Sequence, residues 1–155
     1  TGAFGLNAYK AGAREVISVD ISDEAVDMVN ENIRLNNASD KMTAVCADVF
    51  ELLKDYEEKG EKFDVIILDP PAFTKSAKTI EKAYGGYKEI NLRAMRLLVP
   101  GGILITCSCS HFFDSETFYD MLMHAAKDSH RRLQILEKRG AGPDHPVLVG
   151  YPTSE

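Results

Sequence analysis

Phe63-Asp64-Val65-Ile66-Ile67-Leu68-Asp69-Pro70-Pro71-Ala72-Phe73 is the stretch that says most about this chain. Its first half is almost wholly apolar and rich in β-branched residues, which predicts a buried strand over Phe63 to Leu68. That strand must stop at Asp69. Proline has no N–H to donate, and it pushes the residue before it out of the helical region. An acid is therefore delivered at the carboxyl end of a strand, with an aromatic, Phe73, close behind. In open parallel sheets ligands bind beyond that end. A structural turn alone accounts for Pro-Pro, but not for the acid and the aromatic together.

Outward from this stretch, apolar runs alternate with helical patterns. Upstream, Glu15 to Asp20 reads as a strand ending in an acid. Ser22 is placed to cap a helix from Asp23 to about Asn36, with Ala25, Val29 and Ile33 on one face. Met42 to Ala47 is a second strand, and Val49 to about Glu58 a short amphipathic helix carrying Leu52, Leu53 and Tyr56. Downstream, a loop rich in Lys and Thr leads to a helix from Tyr87 to Leu98, with Ile90, Ala94 and Leu97 inward. Pro100-Gly101-Gly102 turns into a strand from Ile103 to Cys107. Phe118, Met121, Leu122 and Ala125 mark another helix, and Leu133 to Leu136 a further strand. Strands alternating with helices predict an α/β fold, a mainly parallel sheet with helices on both faces.

The length, 155 residues, suggests one domain over 1–155. Its ends read as incomplete. Thr1 opens inside a glycine-rich turn that would normally follow a strand, and Tyr151-Pro152-Thr153-Ser154-Glu155 brings no closing element. No apolar run approaches the roughly 20 residues of a membrane helix, and the N-terminus lacks signal-peptide character. The cysteines, Cys46, Cys107 and Cys109, are odd in number, which argues against a disulfide framework and for a reducing, cytoplasmic setting. A net charge of −6 predicts weak grip on nucleic acid by this chain alone. The His and Cys residues show no zinc-like spacing, so no metal is expected.

Three more signals fall at predicted strand ends. The glycines of Thr1-Gly2-Ala3-Phe4-Gly5 let backbone approach a ligand near a helix N-terminus. Asp20, with Ile21 beside it, can accept hydrogen bonds from both ribose hydroxyls. Asp48 can reach an adenine amino group, with the Val49 N–H beside it; capping a helix is an equal reading of Asp48. A full G-x-G-x-x-G is absent, which tilts the cofactor from NAD towards S-adenosyl-L-methionine (SAM). Asp69 and Pro70 complete the expected binding set, facing the transferred group.

Asp69-Pro70-Pro71-Ala72-Phe73, Gly86-Tyr87-Lys88-Glu89-Ile90-Asn91 and Ser108-Cys109-Ser110 together resemble the bacterial large-subunit ribosomal RNA 5-methylcytosine methyltransferases. The resemblance runs from Thr1-Gly2 to Asp144-His145-Pro146-Val147 and Tyr151-Pro152. It implies a Rossmann-like, SAM-dependent catalytic domain in a longer protein with an N-terminal RNA-binding PUA domain. It implies ribosomal RNA as partner, no membrane, and a homodimer as one allowed assembly. Cys109 would be the nucleophile, since cytosine carbon 5 attacks a methyl group only after a thiolate has added at carbon 6. Asp69 would hold the base. Cys107 and Cys46 read as buried strand residues. Lys75, Lys78, Tyr87 and Lys88 are candidates for an RNA entrance, and His111 for a local base; His145 matches the family without an assigned role. Two other readings stay open: exocyclic-amine methylation of an RNA purine, which needs no cysteine, and a SAM-binding module without activity.

Overall fold

A computed structural model describes residues 1–73, 79–110, 113–140, 142 and 149. Two compact units divide the chain, Thr1–Lys62 and Phe63–Glu155. Lys75, Lys78, His111, His145 and the stretch Tyr151 to Glu155 lie outside the described residues.

The first unit runs α1 (Ala3–Lys10), β1 (Val16–Asp20), α2 (Asp23–Leu35), β2 (Met42–Cys46) and α3 (Val49–Lys59). β1 and β2 pair in parallel, from Val16 opposite Met42 to Asp20 opposite Cys46. Val29 and Ile33 of α2 bury against Ala38 and Met42, with Leu6 and Tyr9 of α1 packed on the same cluster. Thr1-Gly2 is a turn opening directly into α1, not a strand: Gly2 sits in the left-handed region at φ 74°, which glycine adopts without a Cβ penalty. Gly5 answers to space instead. A Cβ there would lie 2.6 Å from Met42 Cε and 2.6 Å from Ser18 Oγ.

The second unit runs β3 (Phe63–Leu68), α4 (Ile80–Leu97), β4 (Leu98–Thr106) and α5 (Ser115–Ser129). β3 and β4 are parallel, ending with Leu68 opposite Thr106. Buried Ala83, Tyr87, Met95, Phe113, Met121 and Ala125 form its core. Asp114 starts α5 by accepting a hydrogen bond from the Thr117 N–H at 2.8 Å. The Thr117 bonds hold its carboxyl below the usual range, as a helix N-cap should.

Three elements depart from the sequence reading. α4 begins at Ile80 rather than Tyr87. Gly85 and Gly86 each cost a helix about 1 kcal/mol, but burying Ala83 and Tyr87 on the core side offsets that cost. β4 begins at Leu98 and contains the Pro100-Gly101-Gly102 turn as a bulge: Phe63 faces Leu98, and the next partners are Val65 and Ile103. Backbone passes so close there that a Cβ on Gly102 would meet the Asp64 carbonyl oxygen at 3.0 Å. Residues 133–136 form no strand. A strand needs a hydrogen-bonded neighbour; none of the described strands pairs with this segment, and Leu133, Ile135 and Leu136 are exposed.

Candidate functional site

Because β1 and β2 are parallel and end level, the residues after them emerge at one edge of the first unit. Asp20 closes β1, and the Ala47 N–H donates to its carbonyl at 3.0 Å. The Asp20 side chain is exposed and accepts from the Ser22 N–H at 3.0 Å. Ser22 itself caps α2, its Oγ accepting from the Ala25 N–H at 3.3 Å. The capping role is therefore taken, and the Asp20 carboxylate stands in solvent beside Ile21, an isoleucine 69% exposed. Asp48 does cap α3, accepting from the Phe50 N–H at 2.8 Å, which realises the structural reading of that acid. α1 has no side-chain cap. Its first turn consequently presents backbone N–H groups at the positive end of the helix dipole, behind Thr1 and Gly2. Phe4 in that turn is exposed.

Cys46, read from sequence as buried, ends β2 exposed, its thiol donating to the Ile21 carbonyl at 3.5 Å. A hydrogen bond to Asp23, then desolvation and the charges of Asp23, Asp20 and Asp27, push that thiol up. A polar hollow of about 270 Å³ lies at the other end of this unit, lined by Arg14, Glu15, Lys41 and their neighbours. It holds none of the predicted site residues.

In the second unit the ends of β3 and β4 are again level, and the Cys107 N–H donates to the Leu68 carbonyl at 2.8 Å. Asp69-Pro70-Pro71 leaves β3 while Ser108-Cys109-Ser110 leaves β4, so the two motifs meet. Cys109 is exposed, and its thiol donates to the Pro70 carbonyl with sulfur 3.8 Å from oxygen. Cys107 is only half-buried; desolvation first, then the charges of Asp69 and Cys109, push its thiol up. Asp69 is exposed.

One expectation about an RNA entrance is corrected. Tyr87 is fully buried, on the inward face of α4. Lys88 is ion-paired with Asp128, 2.6 Å away, so it bridges α4 to α5. What sequence reasoning missed is the polar side of Tyr87. Its hydroxyl accepts from Ser108 Oγ at 3.1 Å and lies 3.0 Å from Ser110 Oγ. A tyrosine where helix periodicity wants an apolar residue was the available signal.

The chain is 47% identical over 153 residues to "Ribosomal RNA large subunit methyltransferase I" of Aeromonas salmonicida, covering 98% of this chain and 39% of the relative. It is 46% identical over 153 residues to the protein of the same name from Photobacterium profundum, of which it covers 38%. The chain thus spans about two fifths of the length of the curated relatives it matches. Among solved structures, SMU.776, crystallised in complex with SAH, superposes with a TM-score of 0.83 at 20% identity, over 99% of this chain and 40% of that one. That likeness carries the fold. Residues 1–140 match the family described as Methyltransferase domain, and the chain belongs to that family.

Proposed function

We propose that this chain is the catalytic part of an enzyme that methylates carbon 5 of a cytosine in large-subunit ribosomal RNA, using SAM and a covalent adduct to Cys109. The carrying observation is the exposed Cys109 thiol held against the carbonyl of Pro70, the residue that follows Asp69, which supports the reading of Cys109 as the nucleophile. The family and the names of the relatives support methyl transfer to ribosomal RNA. With a net charge of −6, RNA grip falls to parts of the complete protein beyond this chain.

The first unit suits the cofactor. The uncapped start of α1 over Thr1, Gly2, Ala3, Phe4 and Gly5 suits the carboxylate of SAM. Asp20 would hold the ribose hydroxyls with Ile21 as an apolar wall, and Asp48 with Val49 would meet the adenine. SAM supplies the methyl group as an electrophile. Asp20→Ala is expected to weaken SAM binding by about 1.5–3 kcal/mol, roughly 10- to 150-fold in Kd. Calorimetry on the complete protein reads this; an unchanged Kd removes Asp20 from the ribose.

The chemistry of the second unit follows from its two motifs. The Cys109 thiolate adds to carbon 6 of the cytosine, breaking the 5,6 double bond and making carbon 5 nucleophilic. Carbon 5 takes the methyl group and its sulfur–carbon bond breaks. A base then removes the carbon-5 proton, the double bond re-forms, and the thiolate leaves. Asp69, with Pro70 beside it, would accept from the amino group of the base and, once N3 is protonated in the adduct, from N3 as well. A target cytosine must leave its stack to reach them, at a cost of a few kcal/mol that these contacts offset.

RNA carrying 5-fluorocytosine tests this directly, because fluorine cannot leave as a proton does. The complete protein is expected to form a stable adduct whose cross-linked peptide contains Cys109. Active enzyme that traps no such RNA would point to exocyclic-amine transfer, which needs no thiol. SAM binding without transfer to any ribosomal RNA would leave only a binding module.

A further inference from the structure

Tyr87 carries a hydroxyl at zero exposure in the middle of an aromatic core. Phenylalanine would fill the same slot without the cost of burying a polar group, so the hydroxyl calls for a partner and a reason. Its partners flank the nucleophile. The Ser110 N–H donates to Ser108 Oγ at 3.3 Å, Ser108 Oγ donates to the Tyr87 hydroxyl at 3.1 Å, and the Tyr87 hydroxyl is then free to donate to Ser110 Oγ at 3.0 Å. These bonds close a ring around a three-residue turn. Ser110 is buried while Cys109 at the apex is exposed. The ring fastens the turn from below and leaves the thiol outside.

The aromatic face of the same side chain reaches the other loop. Phe73, the last residue of the Asp69-Pro70-Pro71-Ala72-Phe73 stretch, lies 4.6 Å from the Tyr87 ring, centroid to centroid. Phe113 stacks on Tyr87 at 4.9 Å with the planes 27° apart, and Phe118 meets it edge-on at 6.0 Å. One residue of α4 therefore touches the loop after β3 through a tilted ring contact, its plane 51° from that of Phe73, and the loop after β4 by hydrogen bonds. On the exposed side, the contact of Cys109 with Pro70 joins the same two loops.

We infer that Tyr87 is a positioning residue for Cys109, its hydroxyl setting the Ser108-Cys109-Ser110 turn against the Asp69 loop that its ring holds through Phe73. The inference rests on Cys109 being the nucleophile. Tyr87 touches neither base nor methyl group. It removes the freedom of the turn before the RNA arrives, so the thiolate meets carbon 6 in one geometry.

The decisive variant is Tyr87→Phe in the complete protein, which keeps the ring and deletes the hydroxyl. Steady-state kinetics with ribosomal RNA, SAM calorimetry, and alkylation of each cysteine by iodoacetamide, resolved by peptide mass spectrometry, are the readouts. The expected result is a kcat lower by about 10- to 100-fold, as misplacement of a reacting group produces. KM and SAM affinity should stay within about twofold. The alkylation rate of Cys109 should shift while that of Cys46 stays put. The paired change Ser108→Ala with Ser110→Ala should reproduce the loss, and adding Tyr87→Phe to it should cost nothing further, because the three side chains act as a unit. An unchanged kcat in Tyr87→Phe beside an inactive Cys109→Ala overturns the positioning role and leaves the nucleophile standing. Additive losses, or equal shifts at Cys46 and Cys109, also overturn it, by making Tyr87 a core residue only. Full turnover by Cys109→Ala removes the nucleophile and the inference with it.

Discussion

Cys109→Ala in the complete protein is expected to lose methyl transfer by roughly four orders of magnitude or more, the scale on which removing a covalent nucleophile acts. Without the thiolate, cytosine carbon 5 has no route to enamine character, and no remaining side chain of the turn replaces sulfur: Ser108 and Ser110 are tied to Tyr87. SAM affinity should not change. Cys107→Ala is the control. Cys107 is half-buried and its thiol is pushed up, first by desolvation, so its thiolate is scarce and its loss should leave most of the turnover. Transfer of labelled methyl to ribosomal RNA measures both variants. Turnover lost in Cys107→Ala and retained in Cys109→Ala would move the nucleophile two residues upstream.

Phe113→Ala is expected to be strongly destabilising. Phe113 is 4% exposed. It stacks on Tyr87 and meets Phe118 and Tyr84 edge-on at 6.2 and 6.1 Å. A buried Phe→Ala change removes transfer energy and leaves a cavity, together about 3–5 kcal/mol. In urea that corresponds to a midpoint lower by roughly 2 M for a slope near 2 kcal/mol/M. The same change strips one wall from the slot that holds Tyr87, so turnover should fall along with stability. A midpoint shift under about 0.5 M would mean that the aromatic cluster closes over the gap.

The strands and their ends were the most legible part of the sequence, and the reason is physical. Phe63–Leu68 is a short, β-branched apolar run closed by an acid and two prolines, too short for a helix and bounded as a strand is. Val16–Asp20 stops at its acid in the same way. Since parallel strands end together, knowing those ends was enough to bring the Asp69 and Cys109 motifs together. What stayed hidden depends on tertiary packing. α4 runs through two glycines because its inward face pairs with α5, a gain no local propensity reports. Tyr87 was placed at an entrance because tyrosine beside lysine looks like surface, yet the helix turns one inward and the other outward. Cys46 looked interior because its strand is apolar, but it is the last residue of β2, where the ladder gives out. Residues 133–136 have a strand's composition, and composition says nothing about whether a neighbour is there to pair with.

The seat of Gly5 has a bearing on how such a chain can be inherited. Helix α1 rides on β1 and β2 at a height set by three residues distant in sequence: Gly5, Ser18 and Met42. The three atoms nearest the absent Cβ all belong to side chains, Val16 Cγ1 at 3.2 Å being the third. A lineage could therefore accept alanine at position 5 only where both the Ser18 hydroxyl and the Met42 methyl give way, most simply through smaller residues at 18 and 42. In either order of arrival the first change is disfavoured, by overpacking or by a void. The three positions amount to one heritable decision, and descendants should carry them as a set.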